Sequence, residues 1–250
     1  MNDIIIPSPP WKKGGKLLEK SVRKALYDFH LIDDATAIAV ALSGGKDSLT
    51  LLFMLNHILG RGFVKKNLYA IHVEGPFSCG ASVDKNYLHN ICKQLNVTFI
   101  PLELDKNIKL ENLNCYTCSR LRRTLIFKKA KELNISHVAF GHHQDDNIQT
   151  LVLNLWQKGS FEGILPKLYM QKYGITIIRP LIYIRETDIV SFAKNNDFMR
   201  QICKCPRGQV SKRKEAANII AMSEEAFPLA KRNLSSAVLT YGSQKAKKCF

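Results

Sequence analysis

A chain of 250 residues, 46% hydrophobic and 23% charged, is long enough for one large α/β domain with a small appendage, and its composition excludes disordered and fibrous classes. No apolar run nears the about 20 residues of a membrane span, and the stretch to Lys20, with Pro7, Pro9 and Pro10 ahead of lysines, lacks a secretory h-region. The expected location is the cytoplasm, with no membrane partner. Lysine and arginine total 37 against 21 aspartates and glutamates, a formal charge of +16, which points to a polyanionic partner, nucleic acid first.

In chain order, Leu17, Leu18, Val22, Ala25, Leu26 and Phe29 form a helical stripe over 16–29. An apolar strand over 37–42 then breaks into Ser43-Gly44-Gly45-Lys46-Asp47-Ser48, and helical period resumes over 48–59 until Gly60 and Gly62. Two glycines at a strand-to-helix turn let backbone approach a ligand, and the free N–H groups and dipole of the following helix suit phosphate. Lys46 adds positive charge, Ser43 and Ser48 add hydroxyls, and Asp47 is a candidate Mg²⁺ ligand. The spacing is not Gly-x-x-x-x-Gly-Lys-Ser/Thr, so the loop is not that of ordinary kinases or GTPases. It resembles the signature of the PP-loop ATP pyrophosphatases.

Strands over 68–73, 97–102, 137–140 and 176–181 alternate with helices over 82–95, 119–133, from Asp145 onward, and 186–196, which predicts right-handed βαβ units and a parallel sheet. Ligands of such sheets bind at the carboxyl ends of the strands. The crevice should therefore collect Ser43–Ser48, His72 and Gly141-His142-His143-Gln144-Asp145-Asp146. Asp145 and Asp146 stand at a helix N-terminus, where one carboxylate suffices as a cap, so Asp145 is a candidate for catalysis or Mg²⁺ binding. The helix after Cys115-Tyr116-Thr117-Cys118 carries Arg120, Arg122, Arg123, Lys128, Lys129 and Lys131, and a second basic run is Lys212-Arg213-Lys214. Residues 228–250 are basic and weakly patterned.

Seven cysteines in a cytoplasmic chain are not a disulfide framework. Cys115 pairs with Cys118 as C-x-x-C and Cys203 with Cys205 as C-x-C, which suggests metal or redox chemistry, whereas Cys79, Cys92 and Cys249 are scattered.

Four motifs occur in one order: the Ser43–Ser48 loop, Cys115-x-x-Cys118 with Arg122-Arg123, Gly141-His142-His143-x-Asp145-Asp146-x-x-x-Thr150, and Arg179-Pro180-Leu181. Together they resemble the tRNA 2-thiocytidine synthetases of the PP-loop superfamily over residues 16–214. The resemblance implies a Rossmann-like adenine nucleotide α-hydrolase fold, an α/β domain with a parallel sheet flanked by helices. It implies an enzyme that uses ATP and Mg²⁺ to adenylylate the 2-oxo group of an anticodon-loop cytidine of tRNA and then replaces that oxygen with sulfur. It also implies a [4Fe-4S] cluster on Cys115, Cys118 and a third cysteine. The family pattern places an arginine eight residues after its last cysteine, as Arg213 stands to Cys205, so the resemblance favours Cys205 over Cys203. The implied roles are catalysis by Lys46, Asp47 and Asp145, nucleotide binding by Ser43, Gly44, Gly45, Lys46, Asp47, Ser48, His72 and Gly141, and RNA binding by Arg120, Arg122, Arg123, Lys212 and Arg213. Sulfur would come from a cysteine desulfurase or free sulfide, and a homodimer is compatible with the family. The expected organisation is an N-terminal extension and amphipathic helix (1–36), the PP-loop domain (37–200) and a basic segment with the second cysteine pair (201–250).

Cys205-Pro206-Arg207-Gly208 departs from the Cys-Gly-Ser-Gln of the thiocytidine enzymes toward the related tRNA 2-thiouridine enzymes, so uridine stays open as the target. Four cysteines as a structural zinc site also stay open. A lysidine-type synthetase does not need the cysteine pairs, and a purely regulatory ATP-binding module would bind ATP without releasing pyrophosphate.

Overall fold

A computed structural model of the protein describes residues 6–12, 14–74, 84–104, 115–198 and 212–242. Cys79, Cys203, Cys205 and Cys249 lie outside them, and of Cys115 only the backbone is described. The elements run α1 (Gly15–Asp28), β1 (Ala37–Ala41), α2 (Lys46–Ile58), β2 (Asn67–Glu74), α3 (Lys85–Gln94), β3 (Thr98–Glu103), α4 (Cys115–Glu132), β4 (His137–Ala139), α5 (Gln144–Lys158), β5 (Lys167–Met170), β6 (Ile175–Ile178), α6 (Glu186–Asn195), α7 (Lys212–Ala226) and α8 (Ala230–Tyr241).

The strands form one sheet in the order β3-β2-β1-β4-β6-β5, parallel except for β5, which pairs antiparallel with β6. The short side chains of β1 alternate between two cores, as a strand's period of two requires. Ile38 and Val40 join α1, α2, α3 and α6 on one face, and Ala37 and Ala39 join Ile126, Phe127 and Ala130 of α4 on the other. Leu18, Val22, Ala25 and Leu26 of α1, set apart in the sequence as an N-terminal extension, share the first core. Chain order runs outward from β1 through β2 to β3 and then returns to β4 on the other flank of β1. This reversal opens the crevice between the carboxyl ends of β1 and β4.

Four details differ from expectation. Helix α4 begins at Cys115 instead of Ser119, because nothing in Cys-Tyr-Thr-Cys breaks a helix, so the C-x-x-C forms its first turn. Helix α3 begins after Asp84, whose carboxylate accepts the Asn86 N–H at 2.9 Å. Strand β5, only four residues long, pairs with β6 and packs Leu168 and Met170 on the second core. Residues 212–241, read only as basic, fold into α7 and α8. Ala216 and Ile220 of α7 pack on Ile148 and Val152 of α5, with Leu234 of α8 beside them.

Leu52 of α2 is fully buried in the first core. Leu52→Ala should lower unfolding stability by about 2–5 kcal/mol, read as a drop in the urea midpoint with an unchanged denaturant slope.

Candidate active site

The turn after β1 is built around two hydroxyls. Gly44 has φ 83°, a left-handed conformation that only glycine adopts freely. Its N–H donates to Ser48 Oγ (3.2 Å), Ser48 Oγ donates to the Gly45 carbonyl (3.0 Å), and the Gly45 N–H donates to Ser43 Oγ (3.3 Å). No side chain caps α2. Its first N–H groups and positive dipole end are left open, the arrangement that receives phosphate.

Lys46 Nζ lies 2.9 Å from Glu186 Oε1 and 3.2 Å from Asp47 Oδ2. Burial opposes the Lys46 charge, but Asp47 and Glu186 outweigh it and hold its pKa above that of a free lysine. Burial also dominates at Asp47, raising its pKa against the pull of Lys46 and His143. Asp47 Oδ1 is buried without a hydrogen-bond donor among the described residues, although Lys46 Nζ lies 3.1 Å away. An orphaned, desolvated carboxylate oxygen beside a phosphate-binding turn fits a divalent cation, since Mg²⁺ takes one or two carboxylates and completes its shell with substrate phosphates and water.

The loop after β4 meets this turn. A Cβ on Gly141 would stand 3.0 Å from the Asp47 carbonyl carbon and 3.1 Å from the Ser48 nitrogen, so only glycine allows the approach. His143 is buried beside three carboxylates: its Nε2 is 3.9 Å from Asp47 Oδ1 and 3.5 Å from Asp146 Oδ2, and its Nδ1 is 3.7 Å from Asp145 Oδ2. Asp146 caps α5 by accepting the His143 N–H at 3.1 Å. Asp145 Oδ2 accepts the Glu186 N–H at 2.7 Å and Oδ1 pairs with Lys231 of α8 at 2.5 Å. Burial raises the Asp145 pKa, but Lys231 and the Glu186 N–H override it, and the net shift is downward. Asp145 therefore ties α5, α6 and α8 together with both oxygens engaged.

Helix α4 overhangs the same strand ends. His72, at the end of β2, is buried, bonds the Leu42 carbonyl through Nδ1 (2.7 Å) and stacks on Phe99. Burial depresses its pKa, the carbonyl bond opposes the shift, and the Arg122 charge adds to it, which keeps the imidazole neutral. Arg122 Nε and Nη2 are buried with no hydrogen-bond partner among the described residues. Arg123 lies 5.8 Å from the Phe140 ring centre. Cys118 is a free, half-buried thiol one helical turn before Arg122.

Among the described residues no three His, Cys, Asp or Glu side chains are grouped as a metal site. The thiols of Cys115 and Cys205 are outside that search. Two cysteines one helical turn apart at a helix start are nevertheless a soft donor pair of the kind an iron–sulfur cluster takes.

The structure thus brings Ser43–Ser48, His72 and Gly141 to one crevice, with Arg122 and Arg123 above it and Arg213 reaching Asp146 Oδ1 at 3.4 Å. It leaves Arg120 exposed, and Lys212 exposed and paired with Glu215. Sequence reasoning gave no role to Glu186 or Lys231. Each is a lone charge in an ordinary helix, with no motif to mark it.

Residues 16–200 match the PP-loop domain family. The tRNA-cytidine(32) 2-sulfurtransferase of Geotalea uraniireducens is 31% identical over 226 residues, covering 88% of this chain and 90% of that one. The tRNA-cytidine(32) 2-sulfurtransferase of Dechloromonas aromatica is 36% identical over 198 residues, covering 77% and 68%. Among solved structures, the U34-tRNA thiolase NcsA from Methanococcus maripaludis with its [4Fe-4S] cluster superposes with a TM-score of 0.71 at 24% identity, covering 95% of this chain and 83% of that one. That likeness is one of fold, the adenine nucleotide α-hydrolase-like sheet and its flanking helices. By the match over 16–200 and the extent of these sequence relatives, the chain belongs to the PP-loop ATP pyrophosphatases, in the family of the tRNA-cytidine(32) 2-sulfurtransferases.

Proposed function

We propose that this chain is an ATP-dependent tRNA sulfurtransferase of the cytoplasm that replaces the 2-oxo oxygen of cytidine 32 with sulfur. The observation that carries the reading is the overlap of two chemistries. An uncapped helix N-terminus with Lys46 and the orphaned Asp47 oxygen is overhung by α4, whose first turns bear Cys118, Arg122 and Arg123. The +16 charge suits a tRNA partner.

The amide-like oxygen of cytidine is a poor leaving group. Its attack on the α-phosphorus of ATP forms a bond to that phosphorus and expels pyrophosphate. Attack of sulfur at C2 then expels AMP, a good leaving group. Lys46 and the open N–H groups of α2 hold the departing phosphates, and charge developing there is stabilised at a prearranged site. Asp47 would hold Mg²⁺, which neutralises phosphate charge. His72, whose pKa burial lowers and whose ring the Leu42 carbonyl orients, lines the nucleotide side. Arg122, with two unpaired nitrogens, is suited to an oxyanion of the adenylate. Asp145 acts on this reading as an organiser of α6 and α8 rather than as a metal ligand.

Cys115, Cys118 and Cys205 would hold a [4Fe-4S] cluster, and three thiolates on four irons leave one iron open to sulfide. The sulfur would come from a cysteine desulfurase or free sulfide.

The deciding experiment is mass spectrometry of tRNA nucleosides from cells with and without the gene. Loss of 2-thiocytidine is expected, and loss of 2-thiouridine instead would move the target to uridine. Lys46→Ala should lower pyrophosphate release at least a hundredfold while the circular dichroism spectrum is kept, as expected for a contact of about 3–4 kcal/mol at the transition state. Gly141→Ala should weaken ATP binding, because the added methyl cannot fit against the Asp47 backbone without moving the first turn of α2. Isothermal titration measures this directly. Cys118→Ser should bind ATP normally yet lose both iron after anaerobic reconstitution and thiolated product. Full iron and full thiolation in that variant would exclude the cysteine assignment.

A further inference from the structure

Three arginines from three elements converge on His142. Arg179, at the end of β6, is 8% exposed; its Nε–H donates to His142 Nδ1 at 3.4 Å and its Nη1 to the Leu165 carbonyl. Arg123 of α4 lies over the Phe140 ring, on which His142 also stacks at 5.7 Å and 28°. Arg213 of α7 reaches Asp146 Oδ1 at 3.4 Å, and the other oxygen of that carboxylate already accepts the His143 N–H. Burial, then Arg123, presses the Arg179 guanidinium down to about 9, still charged at neutral pH. Burial, then Arg179, Arg123 and Arg213, drives His142 well below the usual histidine range.

Arginine has no acceptor, so the bond from Arg179 requires a bare Nδ1 on His142 and puts the ring's proton on Nε2. The cluster therefore offers three guanidiniums and an imidazole N–H, and among the described residues only one of the three, Arg213, is paired with a carboxylate, that of Asp146. Arg23, Lys85 and Arg185, by contrast, each face a carboxylate of their own, Glu19, Glu74 and Asp188. Like charges gathered from separate elements repel unless an anion completes them. The cluster lies at the ends of β4 and β6, one and two strand spacings, roughly 5 and 10 Å, from β1, whereas the ATP phosphates already have the α2 N-terminus and Lys46.

We propose that Arg123, Arg179, Arg213 and His142 form a subsite for a single phosphodiester phosphate of the RNA, beside the reacting nucleotide. The proposal rests on the tRNA reading above and adds a position to it. Phosphate of another origin, the released pyrophosphate, is the competing source.

The test measures affinity for an unmodified tRNA transcript across a salt series, using the full chain, Arg123→Gln, Arg213→Gln and the double variant. Both side chains are exposed, so folding is spared, and thermal melting checks this. Because one phosphate is shared, the double variant should flatten the log–log salt slope by about 0.7–0.9, one phosphate's worth, and not by two. A flattening worth two phosphates, or none, overturns the subsite. So does an unchanged tRNA slope with relief of pyrophosphate inhibition, which would assign the cluster to the leaving group. A wild-type chain that does not bind tRNA overturns the function itself. A wild-type chain with a steep slope shared by every variant overturns only the subsite.

Discussion

The rest of the site depends on how closely the loop after β4 approaches the first turn of α2. With hydrogen alone on Gly141, the two strand-end loops meet backbone to backbone, where a Cβ would stand 3.0 Å from the Asp47 carbonyl carbon. The adjacency of β1 and β4 makes this contact available, with Ile38, Ala39 and Val40 in register with His137, Val138 and Ala139. Asp47, His143, Asp145 and Asp146 are crowded together as a result, and that crowding desolvates Asp47. A nucleotide turn that stood alone would keep its aspartate in water, where a cation has less to offer it.

Charge is distributed in two ways in this protein. Over the outer surface some cations find carboxylates at helical spacing or across strands, as Arg23 does with Glu19 and Lys85 with Glu74, and such pairs contribute little to stability, about 0–1 kcal/mol each. At the carboxyl ends of the strands the balance differs: among the described residues Arg122 has two buried nitrogens without a hydrogen-bond partner, and of Arg123, Arg179 and Arg213 only Arg213 is paired with a carboxylate, that of Asp146. Local rules are broken in this way where a ligand supplies the missing partner. The excess of 37 basic over 21 acidic residues is thus concentrated in meaning, if not in number, around the crevice.

Much of this was legible in the sequence because the parallel strands are short apolar runs bounded by glycine and charge, and because loop motifs sit at strand ends by topology. The Ser43–Ser48 turn, the helix-capping role of an Asp145–Asp146 carboxylate and the crevice shared with Gly141 follow from those facts alone. What escaped was set by tertiary packing. Strand β5 is too short to show its alternation, and its pairing with β6 and the packing of Leu168 and Met170 on the second core make it a strand. Helices α7 and α8 bury few apolar residues, and their basic faces masked the period of Ala216 and Ile220. The C-x-x-C was expected ahead of a helix and instead opens it. Asp145, read as catalytic from its place in a motif, has both oxygens engaged by Lys231 and the Glu186 N–H, partners remote in sequence.

Those partners explain how the site can be held ready before nucleotide arrives. Lys46, the cation proposed to meet phosphate, is paired with Glu186, so its charge is not left buried and alone. The backbone of Glu186 is fixed independently, through its N–H, by Asp145, and Asp145 is neutralised in turn by Lys231. Replacing the Glu186 carboxylate by a triphosphate therefore requires rotation of one half-exposed side chain and no movement of α6. The exchange favours phosphate because a half-exposed ion pair is weak, whereas a polyphosphate meets Lys46 and the open N–H groups of α2 together. One carboxylate holds the frame while another holds the place of the substrate, and the separation of those duties between Asp145 and Glu186 lets the loop stay both rigid and receptive.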